Sequence, residues 1–250
     1  MAITIGTTKS NSGSKANSTN FTFTHTVDAD TKCLVVVIES VDPTSTDAVC
    51  NSIKWDVAGV NESFTASGTY SYRVGGNTII IGYLSIPSVL SSKLISVAMA
   101  GANAQIQAHA LNLVDASASS IVYDSFATGS ANPNGSGVVN PAASGSYAIG
   151  GAIADGGLPA SFSVTTGTEV PGSELDMGSD VASAAYAAES GGSATITWTY
   201  TTALVSCLVQ TFKGVYGSSA IKTINGLAYA SVKTKNGLAV ASIKTVNGLA

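Results

Sequence analysis

Cys33-Leu34-Val35-Val36-Val37-Ile38 is an unbroken apolar run, too short for an ordinary helix and dominated by β-branched side chains that favour strands. A run with no polar alternation is covered on both faces, so it predicts a central strand. The stretch before it, Phe21-Thr22-Phe23-Thr24-His25-Thr26-Val27, alternates apolar residues with threonine, the mark of a strand with one wet face. Asp28-Ala29-Asp30-Thr31 reads as the turn between them.

The same vocabulary continues in both directions. Residues 1 to 20 open on a short strand, Ile3-Thr4-Ile5, and continue as a polar arm to Asn20. After Ile38 comes a polar loop from Asp42 to Ser52, interrupted by Pro43, then alternating Ile53-Lys54-Trp55-Asp56-Val57 with a turn at Gly59. Tyr70 to Val74, the turn Gly75-Gly76-Asn77, and Thr78 to Leu84 read as strand, turn and strand, closed by Pro87. Lys93 to Met99 and Gln105 to Val114 are two further alternating runs. In the second half, strands are expected at 121–126, 147–154, 161–165, 182–188, 194–200 and 204–212, with a long loop from Gly129 to Gly145. The alanines of 182–188 also suit a turn of helix. About a dozen short strands and no convincing amphipathic helix give the expected fold class: all-β, an antiparallel β-sandwich of jelly-roll type, followed by a β-rich repeat tail.

The tail is residues 221–250. Ile221-Lys222-Thr223-Ile224-Asn225-Gly226-Leu227-Ala228 returns as Val232-Lys233-Thr234-Lys235-Asn236-Gly237-Leu238-Ala239 and again as Ile243-Lys244-Thr245-Val246-Asn247-Gly248-Leu249-Ala250. An eleven-residue period also describes a right-handed helical supercoil. The Gly in every copy costs a helix interior about 1 kcal/mol relative to Ala, and the β-branched flanks favour strand, turn, strand. Asn-Gly readily takes positive φ at both centres of a type I′ turn, so Asn225-Gly226, Asn236-Gly237 and Asn247-Gly248 are expected chain reversals. A flexible low-complexity tail is the plainer alternative; the register of Lys222, Lys233 and Lys244 speaks against it. A segment that buries neither face alone stacks on copies of itself or on a partner, which makes these nine Lys, Asn and Gly residues the candidate assembly residues. The expected organisation is an N-terminal strand or arm at 1–20, a β-sandwich body at 21–213, a linker at 214–220 and the eleven-residue Asn-Gly repeats at 221–250.

Among the 250 residues, 45% are hydrophobic and only 10% charged, with a net charge of -4. Average proteins carry about a quarter charged residues; here Thr, Ser, Gly and Ala fill the difference, which suits a tightly assembled or extracellular particle. The acidic balance argues against a general nucleic-acid binder. Met-Ala-Ile-Thr-Ile-Gly-Thr-Thr shows neither the basic nor the apolar region of a secretory signal, and no apolar run approaches a membrane span, so the expectation is synthesis in the cytoplasm. Cys33, Cys50 and Cys207 match no disulfide framework or metal spacing; free core thiols are expected, with one bridge as the alternative.

The body resembles a β-sandwich family of bacterial surface proteins and tailed-phage virion proteins. The resemblance spans residues 20 to 213 and lies in the order of elements. The alternating strand 21–27 and the run Leu34-Val35-Val36-Val37 come first, then the turn Gly59-Val60, the strand end Tyr83-Leu84-Ser85-Ile86-Pro87 and a closing strand into Phe212-Lys213. Where that family has a glycine-rich stretch before its Gly-Val turn, this chain has Trp55-Asp56-Val57-Ala58. The tail resembles Asn-Gly repeats of phage structural proteins. What the resemblance implies is a non-enzymatic virion component (decoration, fibre or tail subunit), homo-oligomeric and joined to other virion proteins, with no catalytic residues to carry over.

Read for chemistry, the chain offers His25 and His109 as its two histidines. His25 shares a face with Phe21, Phe23 and Val27, which predicts a core or rim position. His109 sits among Gln105, Gln107 and Leu111 without a sign of activation. No G-x-S-x-G elbow, phosphate-binding glycine motif or zinc ligand set is present, so neither catalytic residues nor a cofactor are expected. Asp28 with Asp30, and Glu174, Asp176 and Asp180, could offer oxygens to calcium, although loop carboxylates are more often solvated. Tyr70, Tyr72, Tyr83, Trp55 and Trp198 could line a glycan-binding surface or pack inside. Asn17, Asn20, Asn61 and Asn134 stand in glycosylation sequons, which a chain so rich in Ser and Thr produces by chance. A host-surface or glycan-binding adhesion module and an extracellular filament subunit joined by strand exchange are the two alternatives to the virion reading.

Overall fold

The computed structural model describes residues 3–41, 49–65, 71–74, 76–131, 134–140, 143–155, 162–178, 180–200 and 204–216, with four two-residue strands between 223 and 239. The chain divides into two compact units, Met1–Val215 and Tyr216–Ala250.

The first unit is built wholly of strands paired antiparallel. Its first half holds β1 (Thr4–Asn11), β2 (Lys15–Thr26), β3 (Thr31–Val41), β4 (Cys50–Trp55), β5 (Glu62–Ser63), β6 (Ser71–Val74), β7 (Asn77–Ser85) and β8 (Ser92–Val114). They form one sheet in the order β5-β4-β8-β3-β7-β6, with β1 and β2 on the other edge of β8. Because β8 is 23 residues long, one of its ends pairs with β3 and β1 and the other with β4 and β2. The sheet folds over on itself along that strand. Residues of β8 entering the enclosed core are Ile95, Val97 and Met99, then Ile106, Ala108 and Ala110, a change of parity across 100–105 that marks the bend. The two runs expected from sequence are thus one strand.

The second half supplies β9 (Ser120–Ala131), β10 (Asn134–Val139), β11 (Tyr147–Asp155), β12 (Ser163–Thr166), β13 (Thr168–Glu169), β14 (Leu175–Asp176), β15 (Asp180–Ala188), β16 (Ala194–Thr199) and β17 (Val205–Val215). One sheet runs β13-β15-β11-β17-β9 with β14 also on β15, and a smaller one runs β10-β16-β12.

These sheets stack as four layers with three cores between them. Phe21, Phe23, Ile53, Trp55 and Ile95 meet Leu34, Val36 and Ile38 in the first core. The opposite face of β3, with Val35, Val37, Ile79, Ile81, Leu111 and Leu113, meets Ile149, Ile153, Ala182, Ala184, Leu208 and Phe212 in the second. Beyond β11, Ala148, Ala152, Ala185, Cys207 and Val209 meet Ile196, Trp198 and Val139 in the third. β3 and β11 therefore have both faces covered, which is why both read as unbroken apolar or small-residue runs. Gly150 and Gly151 set the spacing: a Cβ on Gly150 would fall 2.8 Å from Trp198, and one on Gly151 would fall 2.7 Å from Val37. Water meets the two outermost faces, and the exposed strand positions there include Thr22, Thr24, Thr26 and Leu94 on one side and Asn134, Ser136, Val138, Ser163 and Thr165 on the other.

Three expectations change. The polar arm of residues 1 to 20 is mostly strand, in β1 and β2. The loop from Gly129 to Gly145 contains the end of β9 and all of β10. Its glycines permit close packing, since a Cβ on Gly135 or Gly137 would strike Val205 or Val209. β17 continues through Gly214 to Val215, part of the expected linker, and pairs there with Ile121 and Ser120. The alanines of 182–188 are strand, because β15 is laddered along its length to β11.

Candidate functional site

Lys222, Asn225, Gly226, Lys233, Asn236, Gly237, Lys244, Asn247 and Gly248 lie outside the described residues. The backbone beside six of them is described. β18 (Thr223–Ile224) pairs antiparallel with β19 (Leu227–Ala228), and β20 (Thr234–Lys235) with β21 (Leu238–Ala239). Ile224 is the partner of Leu227, and Lys235 the partner of Leu238, so two residues separate the strands of each pair. Each pair stands as a two-stranded sheet of its own.

In the body, both histidines are fully buried. His25 reaches from β2 across the first core to the opposite layer. Its Nδ1 lies 2.9 Å from Ser10 Oγ and its Nε2 3.2 Å from Asn112 Oδ1. Asn112 Nδ2 donates to the carbonyls of Thr8 and Thr26, so its Oδ1 must accept from His25 and the imidazole carries its proton on Nε2. Beside it the Asp28 carboxylate accepts from the Thr8 amide (3.0 Å) and hydroxyl (2.5 Å). Burial lowers the pKa of His25, opposed by the Asn112 hydrogen bond and the Asp28 charge. For Asp28, burial pushes upward, but hydrogen bonds from Thr8, Asn112 and Thr7 outweigh it and hold the carboxyl below its ordinary value.

His109 sits in the second core, its Nε2 3.3 Å from Glu39 Oε2, both side chains without solvent exposure. The contact is close but off the hydrogen-bond axis, for none of the four polar atoms makes a hydrogen bond. Glu39 fits because Gly151 opposite has no side chain; a Cβ there would lie 2.9 Å from Glu39 Oε1. Nearby, Gln107 Nε2 donates to the Ser173 carbonyl, and the Ser173 hydroxyl is engaged with Ala184 and Ser183. A serine, a histidine and a carboxylate thus share one region of the interior, each without solvent exposure. Glu39 could have been singled out from sequence, as the one ionisable side chain following an apolar run that must be covered on both faces.

Trp55 and Trp198 are core residues, and Tyr83 is half-buried, stacked on Tyr123 and edge-on to Phe212. Tyr70 and the side chain of Tyr72 lie outside the described residues. Of the proposed calcium ligands, Asp28 is engaged as above and Asp176 accepts from the Gly178 amide. Among the described residues no group of three or more His, Cys, Asp or Glu comes together, and no helix is long and apolar enough to cross a membrane. All three cysteines are free thiols. Burial raises each: Cys50 to about 11, Cys207 to about 12, and Cys33 further. Open clefts of about 400 Å³ beside Thr4–Thr7, Asp28 and Val114 and about 300 Å³ beside Thr24, Asp56 and Lys93 are shallow and lack a converging set of polar groups.

No family model matches the sequence, and neither does any curated protein. One solved structure that matches weakly is a chain of Sulfolobus Turreted Icosahedral Virus, at 9% identity and a TM-score of 0.30, covering 86% of this chain and 92% of that one. A score that low is common between unrelated all-β chains.

Proposed function

We propose that this protein is a non-enzymatic structural component of a virus particle, a decoration, fibre or tail subunit that joins copies of itself and other virion proteins through residues 221–250. The observation that carries the reading is the recurrence of short strand pairs at an eleven-residue interval, each a two-stranded sheet of its own. A lone two-stranded unit is marginal in water and gains stability from a third strand, and the backbone donors and acceptors along its edges are what another chain completes. Lys222 and Lys233, with Asn225-Gly226 and Asn236-Gly237, keep one position in the sequence relative to those strands, and Lys244 and Asn247-Gly248 follow at the same interval. Several weak pairings repeated around a symmetric particle add up to tight attachment. Such a subunit is made in the host cytoplasm and carried in the particle. The glycan-binding alternative has less to stand on, since Trp55 and Trp198 are buried.

Truncation after Gly217 tests the proposal. The full chain is expected to give an oligomeric mass by light scattering, and the truncated chain a folded monomer. Equal masses for both would refute assembly through the tail.

A further inference from the structure

The Ser10–His25–Asn112 and Thr8–Asp28 contacts meet at an irregular part of β1. Ile5 pairs with Leu113 and Lys9 with Leu111, so three residues of β1, Gly6, Thr7 and Thr8, stand against one of β8. In this bulge the Thr8 amide donates to Asp28 and the Thr8 carbonyl accepts from Asn112. Gly6 allows the approach, since a Cβ there would fall 2.2 Å from Asp28 Oδ2. β1 has little apolar anchorage along this stretch: none of Thr7, Thr8, Lys9, Ser10 and Asn11 is apolar, and all are exposed or half-buried. The ladder to β8 resumes at Lys9, Ser10 and Asn11; across the bulge before them, side-chain hydrogen bonds to Asp28 and from Asn112 take its place.

We propose that this cluster is an acid-operated clasp: it holds the middle of β1 against the body at neutral pH and lets it go when His25 takes a second proton. The neutral imidazole satisfies both neighbours, donating to Asn112 and accepting from Ser10. A proton on Nδ1 turns that nitrogen into a donor, so that the Ser10 hydroxyl must turn to accept, and places a charge where no solvent reaches. The charged groups around it are Asp28 at the end of its own strand and, across the β2–β8 ladder, Lys93, whose Nζ is 3.4 Å from Asp56 Oδ1. β1 adds Lys9, whose Nζ donates to the Gly6 carbonyl; β3 faces the cluster with Leu34 and Val36, and β4 with Trp55. Lys93 opposes a second positive charge and is itself neutralised by Asp56, so Asp28 is the carboxylate that favours protonation.

The sign follows from linkage. His25 is lowered in the folded state, so its contribution is complete above the unfolded value near 6.5 and is lost as pH falls below it. Asp28 is lowered too, and its contribution goes below about 3.8. Both act in one direction. Release frees the β8 edge from His109 to Val114, which β1 covers.

Hydrogen exchange of the full chain, corrected for intrinsic pH dependence, tests this against β11 as reference. Below about pH 6.5 the opening constant of amides in 5–12 is expected to rise by up to about tenfold per pH unit and to level off where the native His25 imidazole titrates by NMR, while β11 stays protected. In His25→Gln the rise should vanish. Unchanged protection of β1 while His25 protonates, loss in β11 at the same pH, or the same rise in His25→Gln would each overturn the clasp; the NMR comparison in the unaltered protein needs no variant.

Discussion

Replacing Glu39 and His109 singly and together measures how strongly these two side chains, neighbours on the adjacent strands β3 and β8, are coupled. Both side chains are fully buried at 3.3 Å, and none of their four polar atoms makes a hydrogen bond. Removing one partner from a buried pair strands the other, at a cost of about 3–5 kcal/mol. Glu39→Met and His109→Leu should each fall in that range. For a domain of this size a kilocalorie moves Tm by about 2–4 °C, so each single change should lower it by roughly 6–20 °C. The double variant behaves differently. Met fills much of the volume of Glu beside Gly151, and no stranded charge remains, so its stability should return to within about 2 kcal/mol of the parent or exceed it. Thermal and urea unfolding by circular dichroism on all four proteins close the cycle. If the double change costs the sum of the two single ones, the side chains are not coupled and the reading of a coupled buried pair is wrong.

Two further outcomes test the layering. Gly151→Ala and Gly150→Ala push a methyl to within 3 Å of neighbours on opposite faces of β11, so each should destabilise by about 1–3 kcal/mol; an unchanged urea midpoint in both would mean the layers have room to spare. Iodoacetamide at pH 7.5 should modify Cys50 slowly and leave Cys33 and Cys207 untouched until denaturant is added, because burial raises all three thiols and only Cys50 is partly exposed. Labelling of Cys207 in the native protein would contradict its place in the third core.

The strands most legible in the sequence were those whose own pattern sufficed. Phe21 to Val27 alternates because one face of β2 is wet, and Cys33 to Ile38 does not because β3 is covered twice. What the sequence hid was set by partners. β8 looks like two runs because its inward parity shifts at the bend, so alternation fails just where the strand turns the corner. β10 looks like loop because Gly135 and Gly137 carry no strand propensity; their value is in letting Val205 and Val209 approach. β1 beyond Ile5 looks like a polar arm because hydrogen bonds to Asp28, Asn112 and His25 replace apolar burial there. Neither histidine cluster was legible, since Asn112 lies 87 residues from His25 and the folding of one sheet on itself brings them together. The Asn-Gly period of the tail was plain in the sequence, and the strand pairs at 223–228 and 234–239 occur with the same eleven-residue step.

Layering also bears on what the composition means. A surface with few charges invites the idea of an assembled particle, yet the fold has its own use for such residues. Of four layers, two have no wet face, so their strands need mainly apolar and small side chains, as β11 has and as β3 has apart from Glu39. The two outer layers meet water with threonine, serine and asparagine, which combine strand propensity or hydrogen bonding with polarity and leave few positions for Lys or Glu. A chain folded this way is poor in charge whether or not it assembles. The 10% of charged residues therefore belongs to the architecture of the body, and the weight of the assembly proposal falls on the tail, where short two-stranded units recur and lysine returns at every eleventh residue.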